Sequence, residues 1–181
     1  MKIKVENLTF QERFFKRFLS TSVIIIFLIT ISYLFSPSSN SSILVLILTG
    51  SLISLAITLF ISTRTYIYEV HIESNNLVLK GDKTNQSFEV HLPISETIIE
   101  IKSKGRGRGK VGYYLDFRYQ KEDYQINRLF NWHYSRVLEV FYAFKKAKDE
   151  KIIFDEKYYL EIMEKKAQGK SDFLIVNGGK K

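Results

Sequence analysis

The chain has 181 residues, no cysteine and only two prolines, Pro37 and Pro93. Without cysteine there can be no disulfide, no thiolate catalysis and no cysteine-type zinc site. A third absence is local. From Phe18 to Thr63, 46 consecutive residues, there is no Asp, Glu, Lys, Arg or His. Overall figures of 27 basic against 19 acidic residues and 45% hydrophobic content hide this division. All charge lies outside that stretch, which leaves room for one compact domain beside it.

Within the uncharged stretch, residues 18–35 and 43–62 are apolar runs separated by Ser36-Pro37-Ser38-Ser39-Asn40-Ser41-Ser42. Pro cannot continue a helix, and Ser and Asn compete for backbone hydrogen bonds, so residues 36–42 are expected to turn. As helices the runs would span roughly 27–30 Å, the thickness of a hydrocarbon core. Backbone groups in lipid must be satisfied within the segment, so two transmembrane helices are expected. The first run exceeds the apolar core of a signal peptide and no A-x-A-like site follows it, so it is expected to be retained. Lys2, Lys4, Arg13, Lys16 and Arg17 precede the first run, Arg64 follows the second, and the turn between has no charge. The positive-inside rule therefore expects both termini in the cytoplasm, with a short external turn. Tyr33, Tyr66 and Tyr68 are candidate interfacial anchors. Gly50 with Thr49, Ser51, Ser54 and Thr58 would permit close helix packing, hence self-association or docking onto a membrane complex.

After Arg64 the period changes. Tyr66, Tyr68, Val70 and Ile72 alternate with Glu69, His71 and Glu73, the pattern of a half-buried strand. Further strands are expected at 77–80, 87–92, 96–102, 111–119 and 124–129, with turns at 74–76, 81–85 and 121–123 and with Pro93 closing one strand. Asn131 is the expected N-cap of an amphipathic helix from Trp132 to about Glu150, with Tyr134, Leu138, Phe141 and Phe144 on one face. A shorter helix is expected at 156–167, stopped by Gly169. Lys2–Thr9 alternates too and offers one extra strand. The expected class is therefore a membrane helical hairpin with an α+β cytoplasmic domain, an antiparallel β sandwich or partly open barrel closed by a C-terminal helix.

Two apolar helices, six or seven short strands and an amphipathic helix carrying Trp132, Leu138 and Phe141 together resemble the bacterial pleckstrin-homology-like membrane proteins, over residues 1–150. That resemblance implies a membrane-proximal binding or scaffolding domain mostly without assigned chemistry. Eukaryotic lipid-binding relatives carry a basic motif in the first hairpin; Ser74-Asn75-Asn76 has no charge there, so that mode of phosphoinositide binding is not carried over.

The most distinctive local sequence is Lys102-Ser-Lys-Gly-Arg-Gly-Arg-Gly-Lys110, five cations and no acid in nine residues. If extended, Lys102, Lys104, Arg106, Arg108 and Lys110 would share one face. Near an anionic leaflet each contributes about 1 kcal/mol, so they are the candidate contact with lipid headgroups or an acidic partner, against the plainer reading of a solvated hairpin tip. Gly107, Gly109 and Gly112 match G-x-G-x-x-G only formally, because a dinucleotide site needs that turn to open a helix and a strand is expected here. Two Arg-Gly units with Tyr113 and Tyr114 beside them are too few for an RNA-binding segment, so nucleic acid is disfavoured. His71, His91 and His133 lack ligand spacing, and Glu69, His71 and Glu73 share a strand face as a possible acid–base cluster that an exposed sheet face explains as well. No catalytic, cofactor or metal residue is assigned. Asn7, Asn40 and Asn85 open glycosylation sequons, but only Asn40 would be external, pressed against the membrane.

Four segments are thus expected: a basic N-terminus (1–17), two membrane helices (18–63), a pleckstrin-homology-like domain (64–150) and a C-terminal helix and tail (151–181). The expected function is a non-enzymatic binding or scaffolding module, whose partners are the bilayer and either itself or a membrane complex. The alternatives are a sensor of anionic lipid through residues 102–110 and, more remotely, nucleic-acid binding at the membrane.

Overall fold

The computed structural model describes residues 1–35, 40–104, 112–127 and 132–169. Its elements are β1 (Lys2–Lys4), α1 (Phe10–Phe35), α2 (Asn40–Thr63), β2 (Thr65–Ile72), β3 (Asn76–Lys83), β4 (Gln86–Pro93), β5 (Ile98–Lys104), β6 (Gly112–Tyr119), β7 (Glu122–Asn127), α3 (Tyr134–Ala147) and α4 (Phe154–Ala167). The strands form two antiparallel sheets, ordered β1-β2-β3-β4 and β5-β6-β7, so the class is α+β. The chain divides into two units: Met1–Asn7, Tyr66–Gly81 and Ser87–Lys181 in one, Leu8–Thr65 and Asp82–Gln86 in the other.

The helical unit begins earlier than the apolar pattern suggests. Thr9 and Glu12 form a capping box: the Thr9 amide donates to Glu12 Oε2 at 2.7 Å and the Glu12 amide to Thr9 Oγ1 at 3.3 Å, which starts α1 at Phe10. Of the turn expected over 36–42, Asn40, Ser41 and Ser42 belong instead to α2, as suits residues that serve helix N-termini; residues 36–39, and the side chain of Tyr33, lie outside what is described. The two helices pack together with the start of α1 against the end of α2, where the Phe10 and Phe60 rings meet edge-on at 5.5 Å. Arg13 is buried there, its Nε donating to the Thr63 carbonyl at 3.3 Å and its NH1 to the Leu8 carbonyl, a cation at the negative end of α2. Arg13 NH1 also lies 3.8 Å from Asp82 Oδ2, and Asn85 Oδ1 accepts the Phe10 amide at 3.0 Å.

Those last two partners sit on the β3–β4 hairpin. Its turn was expected over 81–85, yet β3 runs on to Lys83 and only Thr84 and Asn85 turn, both with positive φ (53° and 68°), the backbone of a two-residue hairpin loop. Gly81 lies inside the strand at a position where nothing larger fits: a Cβ would stand 2.3 Å from Phe88 Cζ and 2.6 Å from the Tyr66 carbonyl oxygen.

In the sheet unit, β1 pairs with β2 in the register Lys2↔His71, Ile3↔Val70, Lys4↔Glu69 and buries Ile3, the extra strand that the N-terminal alternation offered. The half-buried reading of β2 is corrected: Tyr66, Val70 and Ile72 are buried, but so are Ile67 and Glu69 on the opposite face. Trp132 accounts for part of this, its indole N–H donating to the Ile67 carbonyl at 2.7 Å, and Lys2 pairs with Glu69 at 3.0 Å. α3 lays Tyr134, Val137, Leu138, Phe141 and Phe144 on the core, with Phe144 edge-on to Phe117 of β6. Its N-cap is His133, so the helix starts two residues later than expected, and Asn131 lies outside the described residues. α4 buries only Leu160 and Met163 and ends at Gly169, φ +76°, where glycine carries no Cβ penalty. The tail from residue 170 lies outside the described residues.

Candidate functional site

The basic segment emerges from β5–β6, whose register closes with Lys104↔Gly112. Of its five cations, Lys102 and Lys104 end β5, the Lys104 side chain lies outside what is described, and so do Arg106, Arg108 and Lys110. Lys102 does not extend with the others. Its Nζ donates to Asp116 Oδ2 across the hairpin, which holds the ammonium above the ordinary lysine pKa. Asp116 is fully buried on the face opposite Leu115 and Phe117. Around it Arg118 Nε stands 3.4 Å from Asp116 and 3.6 Å from Asp123, and Arg118 NH2 donates to Glu100 at 2.7 Å. The result is a ladder of alternating charge over β5, β6 and β7. Burying a carboxylate costs more than its pairing returns unless several partners converge, and such networks serve register better than net stability. Here the ladder links β5, β6 and β7 and engages Lys102, which withdraws it from the cations open to a partner.

A buried cation lies on α3. Lys145, 4% exposed along its side chain, bridges Glu150 Oε1 at 2.8 Å and Glu156 Oε1 at 2.7 Å and lies over the Phe141 ring. Burial alone would lower its pKa; the two carboxylates outweigh that and hold it above the ordinary value, while Lys145 in turn keeps Glu150 below the usual carboxylate range. This clamp sets the corner between α3 and α4. Nearby, the Tyr142 hydroxyl donates to Glu164 at 2.7 Å, and burial with that bond pushes the phenol up to about 12.

The histidines stand apart from one another: His71 Nδ1 is 3.5 Å from Glu73, His91 Nε2 is 3.3 Å from Glu89, and His133 is exposed. Glu69 turns to Lys2, so the three residues of the possible acid–base cluster do not converge. Gly112 opens a strand, as the rejection of a dinucleotide loop requires. Among the described residues no group of three His, Asp or Glu is arranged to hold a metal ion. The burial of Asp116 and Arg13 had little local signal, because partners such as Lys102 for Asp116 and Thr63 and Asp82 for Arg13 are distant in the chain. The Lys145–Glu150 spacing was a local signal. No protein-family model, curated protein or solved structure matches the chain.

Proposed function

We propose that this chain is a two-pass membrane protein whose α+β unit is a cytoplasmic pleckstrin-homology-like module that binds or scaffolds a partner and carries out no chemistry of its own. The observation that carries the reading is the surface of α1 and α2. Leu19, Val23, Ile26, Phe27, Leu28 and Ile31 of α1 are exposed, as are Leu46, Ile47, Ile53, Ile57, Phe60 and Ile61 of α2. The stretch Leu46–Thr63 is long and apolar enough to cross a membrane, and only 6% of it is buried. A core helix of a water-soluble domain would be mostly covered; this much apolar surface in water would drive aggregation.

The polar atoms agree. Thr30 donates its hydroxyl to the Ile26 carbonyl at 3.0 Å, Ser51 to Ile47 at 2.9 Å, Thr58 to Ser54 at 2.8 Å and Thr63 to Leu59 at 2.7 Å. Hydroxyls that return to the preceding turn need no water, the condition a lipid-facing helix must meet. The charge distribution of the flanks supports cytoplasmic termini.

Tags at each terminus, with protease added to intact and then to opened cells, test the topology. Both tags should survive in intact cells and be cleaved after opening, and the protein should stay in the pellet after alkaline carbonate extraction. Cleavage of the C-terminal tag in intact cells, or release by carbonate, overturns the reading.

A further inference from the structure

The outward face of α4 carries apolar side chains that the fold does not use. Ile153 is 59%, Phe154 84% and Tyr158 60% exposed. Phe154 and Tyr158, four residues apart, share one face of the helix, opposite the buried Leu160 and Met163. Farther along that face the chain is conventionally polar, with Glu161 paired to Lys165.

The charges around this patch are sorted. Lys145 draws Glu150 and Glu156 into its clamp, and Lys148 adds a 3.4 Å contact to Glu150. Lys146, Lys151 and Lys157 are exposed and have no acid within 4 Å among the described residues, against two uncommitted acids, Asp149 and Asp155. Lys151 and Lys157 thus stand beside Ile153, Phe154 and Tyr158 in the chain, and over residues 146–158 the free ammonium groups slightly outnumber the uncommitted acids among the described residues.

We infer that this α3–α4 corner inserts Ile153, Phe154 and Tyr158 into the headgroup–acyl boundary of a bilayer containing anionic lipid. Size argues against a second copy. Fully covering the two aromatics and the isoleucine would bury roughly 300–450 Å², well below the ~800 Å² per partner of a stable protein interface. A bilayer needs no matching surface: phenyl and phenol rings sit readily at the polar–apolar boundary, and lysines reach from it to phosphate. The inference rests on the membrane reading above, because a tethered module meets the bilayer at high effective concentration and a weak contact then suffices.

The absence of native cysteine permits single-site spin labelling of the full chain in nanodiscs of phosphatidylcholine and phosphatidylglycerol. Labels at Ile153→Cys, Ile53→Cys and Ser135→Cys all fall on positions outside the core. The nitroxides at 153 and 53 should collide several-fold more with oxygen than with an aqueous nickel complex, and the one at 135 should show the reverse. Adding Phe154→Ser and Tyr158→Ser should return the label at 153 to the aqueous pattern. If 53 is in lipid and 153 in water, the inference fails while the membrane reading stands. If 53 is also in water, both fail. Dipolar broadening between labels at 153 in one disc would replace the bilayer by a second copy and overturn the inference.

Discussion

Lys145 illustrates how one side chain can hold an element in place and how its contribution must depend on pH. It is nearly inaccessible, and Glu150 and Glu156 meet it from the α3–α4 connection and the first turn of α4. Lys145→Met keeps the aliphatic volume but strands Glu156, itself 12% exposed; Glu150 can turn back to water. The substitution should cost about 2 kcal/mol, below the range for a fully buried pair. The Lys145 pKa is raised, so its contribution is complete below the ordinary lysine value and is lost as pH rises through the folded value. The Glu150 pKa is lowered, so its contribution is present above the ordinary glutamate value and is lost as pH falls through the folded one. Thermal melts of wild type and Lys145→Met should therefore differ by a constant amount from about pH 5 to 10 and converge outside that window. A difference that persists unchanged at pH 3 would mean that the ion pair with Glu150 does not supply it.

At the level of elements, most of the strand pattern was legible because period-2 alternation reports burial of one face, as in Phe88, Val90 and Leu92 of β4 against Ser87, Glu89 and His91. It failed where both faces are covered: Ile67, Glu69 and Asp116 are buried by contacts from Trp132, Lys2, Lys102 and Arg118, which no local pattern contains. The Thr9–Glu12 capping box was a local signal hidden inside a basic segment that reads first as a membrane flank. The expected β3–β4 turn begins too early because Gly81 and Asp82 are turn formers by propensity, whereas Gly81 serves a strand position that has no room for a Cβ beside Phe88. The actual turn places a β-branched residue, Thr84, at φ 53°, where its Cβ is crowded. Thr84→Asn relieves that crowding, keeps the backbone bond from the Thr84 amide to the Arg64 carbonyl, and should stabilise the fold by about 0.5–1 kcal/mol. Chemical denaturation in detergent should show a higher midpoint; a lower one would mean the threonine side chain is itself bonded in the turn.

For the whole molecule, the uncharged stretch makes opposite demands on two kinds of chain, and a single charge separates them. Ile53 stands 58% exposed near the middle of α2, so replacing it disturbs little that the fold itself packs. If α2 faced water, Ile53→Lys would remove an exposed apolar side chain, leave stability within about 0.5 kcal/mol and improve solubility. If α2 spans a bilayer, the same lysine meets hydrocarbon near the helix centre, where insertion scales assign about 2.5–3.5 kcal/mol to a charged residue. The substituted chain should then partition several-fold less into the membrane fraction and be cleared by proteolysis. Lys at Ser62, near the end of the run, should be tolerated because its side chain can reach the headgroups. Cell fractionation of the two variants at matched expression reads the difference. Position dependence of this kind follows from a slab of hydrocarbon and from no property of a water-soluble domain, so equal behaviour of Ile53→Lys and Ser62→Lys would remove the bilayer from the account.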